Sequence, residues 1–254
     1  MTTITAIAER LDQAVLTATA THQMPDAEQF DADTGYAVQA LGIELRRARG
    51  ERVVGVKMGL TSRAKMAQVG VNEVTWGRLT DTMRREESGT LARAQFIHPR
   101  AEPEIAFILK RRLTGDVTLA EAALAIEAIA PAIEIIDSRY ENFRFSLGDV
   151  VADNSSSAAF FLGPCTAPGI DTANLGIVLS IDGRPHEIGS SAAILGHPLR
   201  ALVAAARLTA RSGHVLEAGD IVLAGAATAA VPLRPGMRVE AEVQSLGRVT
   251  FSVT

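Results

Sequence analysis

Apolar residues recur at two different spacings, and the change of spacing divides the chain into a helical lead and a strand-rich remainder. Ile4, Ile7, Leu11, Val15 and Ala18 return every three or four residues, the period of one helix face. A second helix is predicted from about Asp33 to Ala48, closing near Gly50, with a polar segment from Thr21 to Asp31 between the two. From Arg52 onward the pattern becomes short apolar runs: Arg52 to Leu60, Val74 to Met83, His98 to Leu109 and Pro131 to Asp137. Thr61 and Ser62 suit the cap of a short helix to about Gly70. Thr118 to Glu121 is a capping box for a helix expected to run to about Ala130, where Pro131 should stop it. In the last third, a hairpin is predicted about Asp182-Gly183, and a helix from His197-Pro198 to about Ala210. Strands are expected at Ile221 to Leu223 and from Met237 to Val253, with turns at Pro235-Gly236 and Leu246-Gly247.

Composition adds little to this picture. With 254 residues, 47% hydrophobic and 21% charged, the chain suits a helical segment (1–50) joined to one core domain (51–254). A net charge of −4 provides no basic footprint for nucleic acid or an anionic membrane, while leaving local charge free to bind an anionic substrate. Cys165 is alone, which excludes a disulfide framework and a cysteine zinc cluster and points to a reducing, cytoplasmic compartment. There is no basic-then-apolar leader, no run of membrane-spanning length, no phosphate-binding glycine loop and no nucleophile elbow.

The unusual chemistry lies where carboxylates interrupt apolar strands. Glu102 and Glu104 are two apart and so project from one strand face. They either line a solvated face or hold a cation, because two close carboxylates repel. Glu134 stands in Ala-Ile-Glu-Ile-Ile, a run fit for a core, and a buried carboxylate needs a partner. A hard divalent ion such as Mg²⁺ or Mn²⁺ takes such oxygen ligands and keeps positions for water or substrate. Lys57, between Gly55 and Gly59, either snorkels to the surface or faces an anionic site. Asp153, Asn154 and Ser155 to Ser157 form either a capped loop or a hydrogen-bonding wall. Trp76 is read as core and His197 as structural.

Five motifs together resemble the hydratase/decarboxylase family of meta-cleavage pathways, part of the fumarylacetoacetate hydrolase superfamily. They are Lys57 to Ser62, Glu102 to Phe107, Glu134 to Tyr140, Ala152-Asp153-Asn154 with its serines, and Leu195-Gly196-His197-Pro198. The resemblance runs from about Val53 to the C-terminus. It implies an α+β fold, a mixed β-roll/β-sandwich behind an N-terminal helical segment. It carries Mg²⁺ (or Mn²⁺) ligands onto Glu102, Glu104 and Glu134, a catalytic lysine onto Lys57, and substrate contacts onto Ser156, with Ser157 the register alternative, and Leu60. It further implies a homo-oligomer that can associate with a partner dienoate hydratase.

Leu79 to Met83, Ile97-His98-Pro99 and Ile136 to Tyr140 with Asn142-Phe143 resemble the decarboxylating branch. The expected reaction is loss of CO₂ from a small dicarboxylate, 2-oxohex-3-enedioate, to give 2-hydroxypenta-2,4-dienoate; hydration of that dienoate is the alternative. Arg139 is the candidate for the distal carboxylate, since its fork suits bidentate recognition. His98 and Asp81 are expected either behind the metal ligands or in structural roles. A catalytically silent partner subunit is a third reading, against which an intact Lys57 and three glutamates argue; hydrolysis of a C–C bond is more distant.

Overall fold

Both lead helices form in the computed structural model, which describes residues 3–25, 29–62, 66 and 73–254. Helix α1 (Ile4–Thr17) is capped by the Thr3 hydroxyl, which accepts from the Ala6 N–H, and α2 (Ala32–Ala48) by Asp31, which accepts from Thr34. The helix expected after Ser62 lies outside the described residues except for Ser62 and Met66.

Thirteen strands among the described residues make two sheets. The larger runs β2 (Thr75–Thr80), β1 (Val53–Gly59), β10 (Ile221–Leu223), β5 (Arg100–Leu109), β6 (Ile126–Ile136), β7 (Ser157–Leu162) and β3 (Arg84–Arg85), with β11 (Val231–Pro232) also on β5. The smaller runs β4 (Thr90–Leu91), β13 (Gly247–Val253), β12 (Arg238–Val243), β8 (Gly176–Ile181) and β9 (Arg184–Ser190). The β8–β9 hairpin turns where expected, with Asp182 and Gly183 both at positive φ (52° and 76°).

Strand alternation gives the large sheet two faces with different work. Ile133, Ile135, Ala159 and Phe161 point to the small sheet, where Phe161 stacks on Phe251 at 4.3 Å. On the same side further along, Val56, Met58, Ile105 and Phe107 pack against helix α5 (Pro198–Arg211) through Ala201, Leu202 and Ala205. His197 caps that helix, its Nδ1 accepting from the Leu199 N–H at 3.1 Å, so its role is structural. On the opposite face Leu79 of β2 joins one cluster with Ala106, Ala132, Phe160 and Leu223. Strands at the two ends of the sheet share a core, so the sheet curls into a roll with an interior. This is the mixed α+β roll-and-sandwich expected from the motifs.

One expected element is different. The helix after Thr118 spans only Leu119–Leu124 (α3), and the chain is already strand at Ile126, so Pro131 lies within β6 rather than ending a helix. The Pro131 carbonyl accepts from Gly163 at 2.9 Å, which aims the missing proline donor past the last residue of β7. A proline is tolerated there because no ladder donor to β5 is lost.

The helical lead is tied to the roll through Gln39 of α2, which is 1% exposed. Its amide donates to the carbonyls of Trp76 (3.1 Å) and Val151 (3.0 Å), and its oxygen accepts from Arg78 Nη1 at 2.6 Å. Val151 belongs to helix α4 (Leu147–Ala152), and Trp76 is fully buried, as expected for core. Gln39→Leu keeps the volume but strands a buried guanidinium and two carbonyls, so chemical denaturation should show a loss of about 2–4 kcal/mol. A loss below about 0.5 kcal/mol, the range of ordinary surface changes, would contradict this tie.

Candidate active site

The glutamates meet because of register. Glu102 of β5 stands directly opposite Glu134 of β6, and Glu104 follows two residues on from Glu102, on the same face. One carboxylate oxygen from each lies within 4.8 Å of the others. Glu104 and Glu134 are 0% exposed and Glu102 7%. Pro103 sits between them without breaking the β5–β6 ladder, since its carbonyl faces Ala227 N (3.2 Å) on the other side.

Lys57 reaches the cluster from β1. It is buried, with Nζ 2.8 Å from Glu134 Oε2 and donating at 3.0 Å to the Ser155 carbonyl, so it does not snorkel. Burial alone would lower its pKa, but the attraction of Glu134, Glu102 and Glu104 overrides burial and holds the ammonium above its ordinary value. Burial, reinforced by Glu134, pushes Glu104 well above the carboxylate range, with Lys57 opposing. Burial also raises Glu134, again opposed by Lys57.

A tight turn closes the site. Asn154, Ser155 and Ser156 have φ of 51°, 51° and 59°, three successive side-chain-bearing residues in the left-handed region, at about 1–3 kcal/mol each. The turn persists because its neighbours pin it. Asn154 accepts from the Arg78 N–H (2.7 Å) and donates to the Arg78 carbonyl (2.8 Å), and Ser155 Oγ donates to the Trp76 carbonyl (3.0 Å). Ser157 Oγ donates to Glu134 Oε1 at 2.9 Å. Ser156 Oγ is buried with no partner among the described residues, as is Glu104 Oε1. Leu60, half-buried at φ 55°, follows directly after the last residue of β1.

These observations fit a divalent ion. Three carboxylates converge with an unmatched oxygen on Glu104, and an orphaned hydroxyl stands nearby; such a set can hold a hard cation and leave positions for an anionic ligand.

Other expected residues are placed elsewhere. Arg139 is buried, but its Nε and Nη2 engage Asp153 and its Nη1 donates to the Ser157 carbonyl at 3.2 Å. Arg139 lines a cavity with Leu11, Val38 and Arg46 of the lead helices, and its guanidinium braces the serine turn. Asp81 pairs with Arg52 at 3.0 Å near the surface. His98 packs at a tilt of 44° against Phe143, ring centroids 5.0 Å apart, and its backbone N–H donates to Asp137 at 2.7 Å. Sequence reading missed the role of Gly225, whose N–H donates to Glu104 Oε2 at 2.8 Å and fixes that carboxylate. Gly225 has φ 104°, and a Cβ there would lie 2.1 Å from Thr61 Oγ1. Nothing in the Gly-Ala-Ala-Thr run from Gly225 to Thr228 indicates a partner far away in sequence.

Residues 52–254 match the fumarylacetoacetate (FAA) hydrolase C-terminal family. Over 251 residues the chain is 55% identical to a 4-oxalocrotonate decarboxylase of Pseudomonas sp, covering 99% of this chain and 98% of that one. It is 38% identical over 223 residues to a 2-keto-4-pentenoate hydratase of Paraburkholderia xenovorans, covering 87% and 83%. The fold superposes with a TM-score of 0.95 on 4-oxalocrotonate decarboxylase from Pseudomonas putida G7 complexed with magnesium and adipate, at 37% identity and 99% and 97% coverage.

Raised carboxylate values have a stability consequence. The folded chain holds protons on Glu104 and Glu134 that the unfolded chain releases near 4.5, so the site's contribution is intact below that value and is lost as pH rises through the raised ones. Thermal melts of chelator-treated protein should show the wild type losing stability relative to Glu104→Gln as pH rises above about 4.5. Mg²⁺ at about 100 times its dissociation constant should restore about 2.7 kcal/mol to the wild type alone. A wild-type-minus-variant difference that is flat with pH would refute the electrostatic reading.

Proposed function

The chain belongs to the fumarylacetoacetate (FAA) hydrolase C-terminal family, and on that premise we propose that it decarboxylates 2-oxohex-3-enedioate (4-oxalocrotonate) to 2-hydroxypenta-2,4-dienoate and CO₂. The observation that carries the reading is the inner-face set of Glu102, Glu104, Glu134 and Lys57, beside the free Ser156 hydroxyl, in a chain alike over its full length to a decarboxylase.

In this reading Glu102, Glu104 and Glu134 hold Mg²⁺ or Mn²⁺. Bound there, the ion supplies Lewis-acid stabilisation of negative charge at the substrate's 2-oxo oxygen. Breaking the C5–C6 bond releases CO₂ and sends the electron pair through the C3–C4 alkene to that oxygen. Lys57 stands beside it as a cation, stabilises the growing charge and delivers the proton that completes the dienol. Glu134 and the Ser155 carbonyl aim Nζ, and burial excludes the water that would weaken its field. Ser156 Oγ donates to the substrate and Leu60 packs against it, while Ser157 keeps its hydrogen bond to Glu134.

The protein acts in the cytoplasm as a homo-oligomer and passes its dienol to a hydratase, consistent with the lone Cys165 and with relatives named for hydration of 2-keto-4-pentenoate. No helix among the described residues is long and apolar enough to cross a membrane. The 38% identity to such a hydratase favours hydration of the dienoate as the second reading, by the same lysine and glutamates.

The test is an assay of chelator-stripped protein with 2-oxohex-3-enedioate, with and without Mg²⁺. Metal-dependent CO₂ release should fall about 10²–10⁴-fold in Lys57→Ala and vanish in Glu104→Gln. Hydration of 2-hydroxypenta-2,4-dienoate without CO₂ release would move the assignment to the second reading; inactivity on both would end it.

A further inference from the structure

We propose that Arg100, stacked on Phe143, is the specificity-determining residue that receives the far carboxylate of a dicarboxylate substrate. This deepens the decarboxylase reading and rests on it for the identity of the near end of the ligand. Arg100 begins β5, two residues before Glu102, so strand alternation puts it in one row with Glu102 and Glu104 on the inner face. Its register partner on β6 is Ile136, two residues from Glu134 on that same face.

The row has a closed end and an open one. Beside and beyond Glu104 the inner face is filled by Ala132, Ala106, Ala130 and Leu223, all fully buried. In the other direction exposure rises, from 0% at Glu104 through 7% at Glu102 to a half-buried Arg100. A ligand whose near end sits at the glutamates therefore extends toward Arg100. Two residues of strand place Arg100 roughly 6.6 Å along the row from Glu102, on the scale of an extended six-carbon diacid, whose carboxyl carbons lie roughly 6 Å apart.

The guanidinium is unclaimed by protein anions. Among the described residues Arg100 has no carboxylate within ion-pair distance, and its partner is the face of Phe143, 4.0 Å away. The ring is held between His98 and Arg100, on a loop where Asn142 and Phe143 have φ of 58° and 57°. Packing over the ring restrains the guanidinium on one side and leaves N–H groups for a carboxylate. Arg139, by contrast, is occupied by Asp153 and the Ser157 carbonyl. The carboxylate that Arg100 holds is the one that departs, so its contribution belongs to binding more than to the bond-breaking step.

Binding of adipate and of hexanoate to the Mg²⁺-loaded protein by calorimetry tests this directly, since the two differ only in the second carboxylate. The wild type should prefer adipate; Arg100→Met should lower adipate affinity about 10–100-fold and leave hexanoate and Mg²⁺ affinity unchanged. Arg100→Lys should recover part of the loss. In turnover, KM for the diacid should rise by a similar factor while kcat moves only a few-fold. A variant that still prefers adipate as the wild type does, or a wild type with no preference, overturns the proposal. Loss of the preference in Arg100→Met, in a protein that releases no CO₂, supports the subsite and sinks the decarboxylase reading instead.

Discussion

Charge balance inside the roll is the constraint on which the rest depends. Three glutamates and one lysine are buried on one face, and when ionised they carry a net charge of −2. Desolvated like charges of that kind are tolerated only with protons or a cation between them. The raised values of Glu104 and Glu134 are the chain's own response, and a divalent ion is the chemical one, matching the deficit with a single charge centre. The link of Lys57 to Glu134 leaves Glu104 Oε1 unmatched among the described residues.

The scaffold is arranged to hold this unfavourable set in place. The β5–β6 ladder makes the glutamates neighbours, and both prolines in it turn their missing donors away from the shared edge. The strained Asn154–Ser156 turn is bound to Arg78 and Trp76, and those residues are held in turn by Gln39 of the helical lead. Residues with no ligand of their own thus set the position of Lys57, whose partner is the Ser155 carbonyl. Gly225 does the same for Glu104 from the loop after β10.

Much of this was legible in the sequence because strand periodicity is local. Glu102 and Glu104 share a face by spacing alone, and Glu134 declared itself by interrupting an apolar run. The hairpin at Asp182-Gly183 and the His197 cap followed from residue types whose backbone preferences are strong. What stayed hidden was decided by tertiary contacts. Pro131 looked like a helix stop because nothing local reveals that its missing donor faces past the end of β7. Arg139 looked like a ligand for an anion because its partner Asp153 is fourteen residues away and joins it only on folding. Arg100 passed unnoticed because its place in the glutamate row matters only once the closed end of the roll is known.

The central claim is that Glu102, Glu104 and Glu134 form one divalent-ion centre. Titration of chelator-stripped protein with Mn²⁺, followed by electron paramagnetic resonance of the free ion, tests it most directly. One equivalent bound per chain, lost in Glu134→Gln and displaced by excess Mg²⁺, is the expected result. Binding of the same stoichiometry and strength in the variant, or no binding in the wild type, would contradict the account.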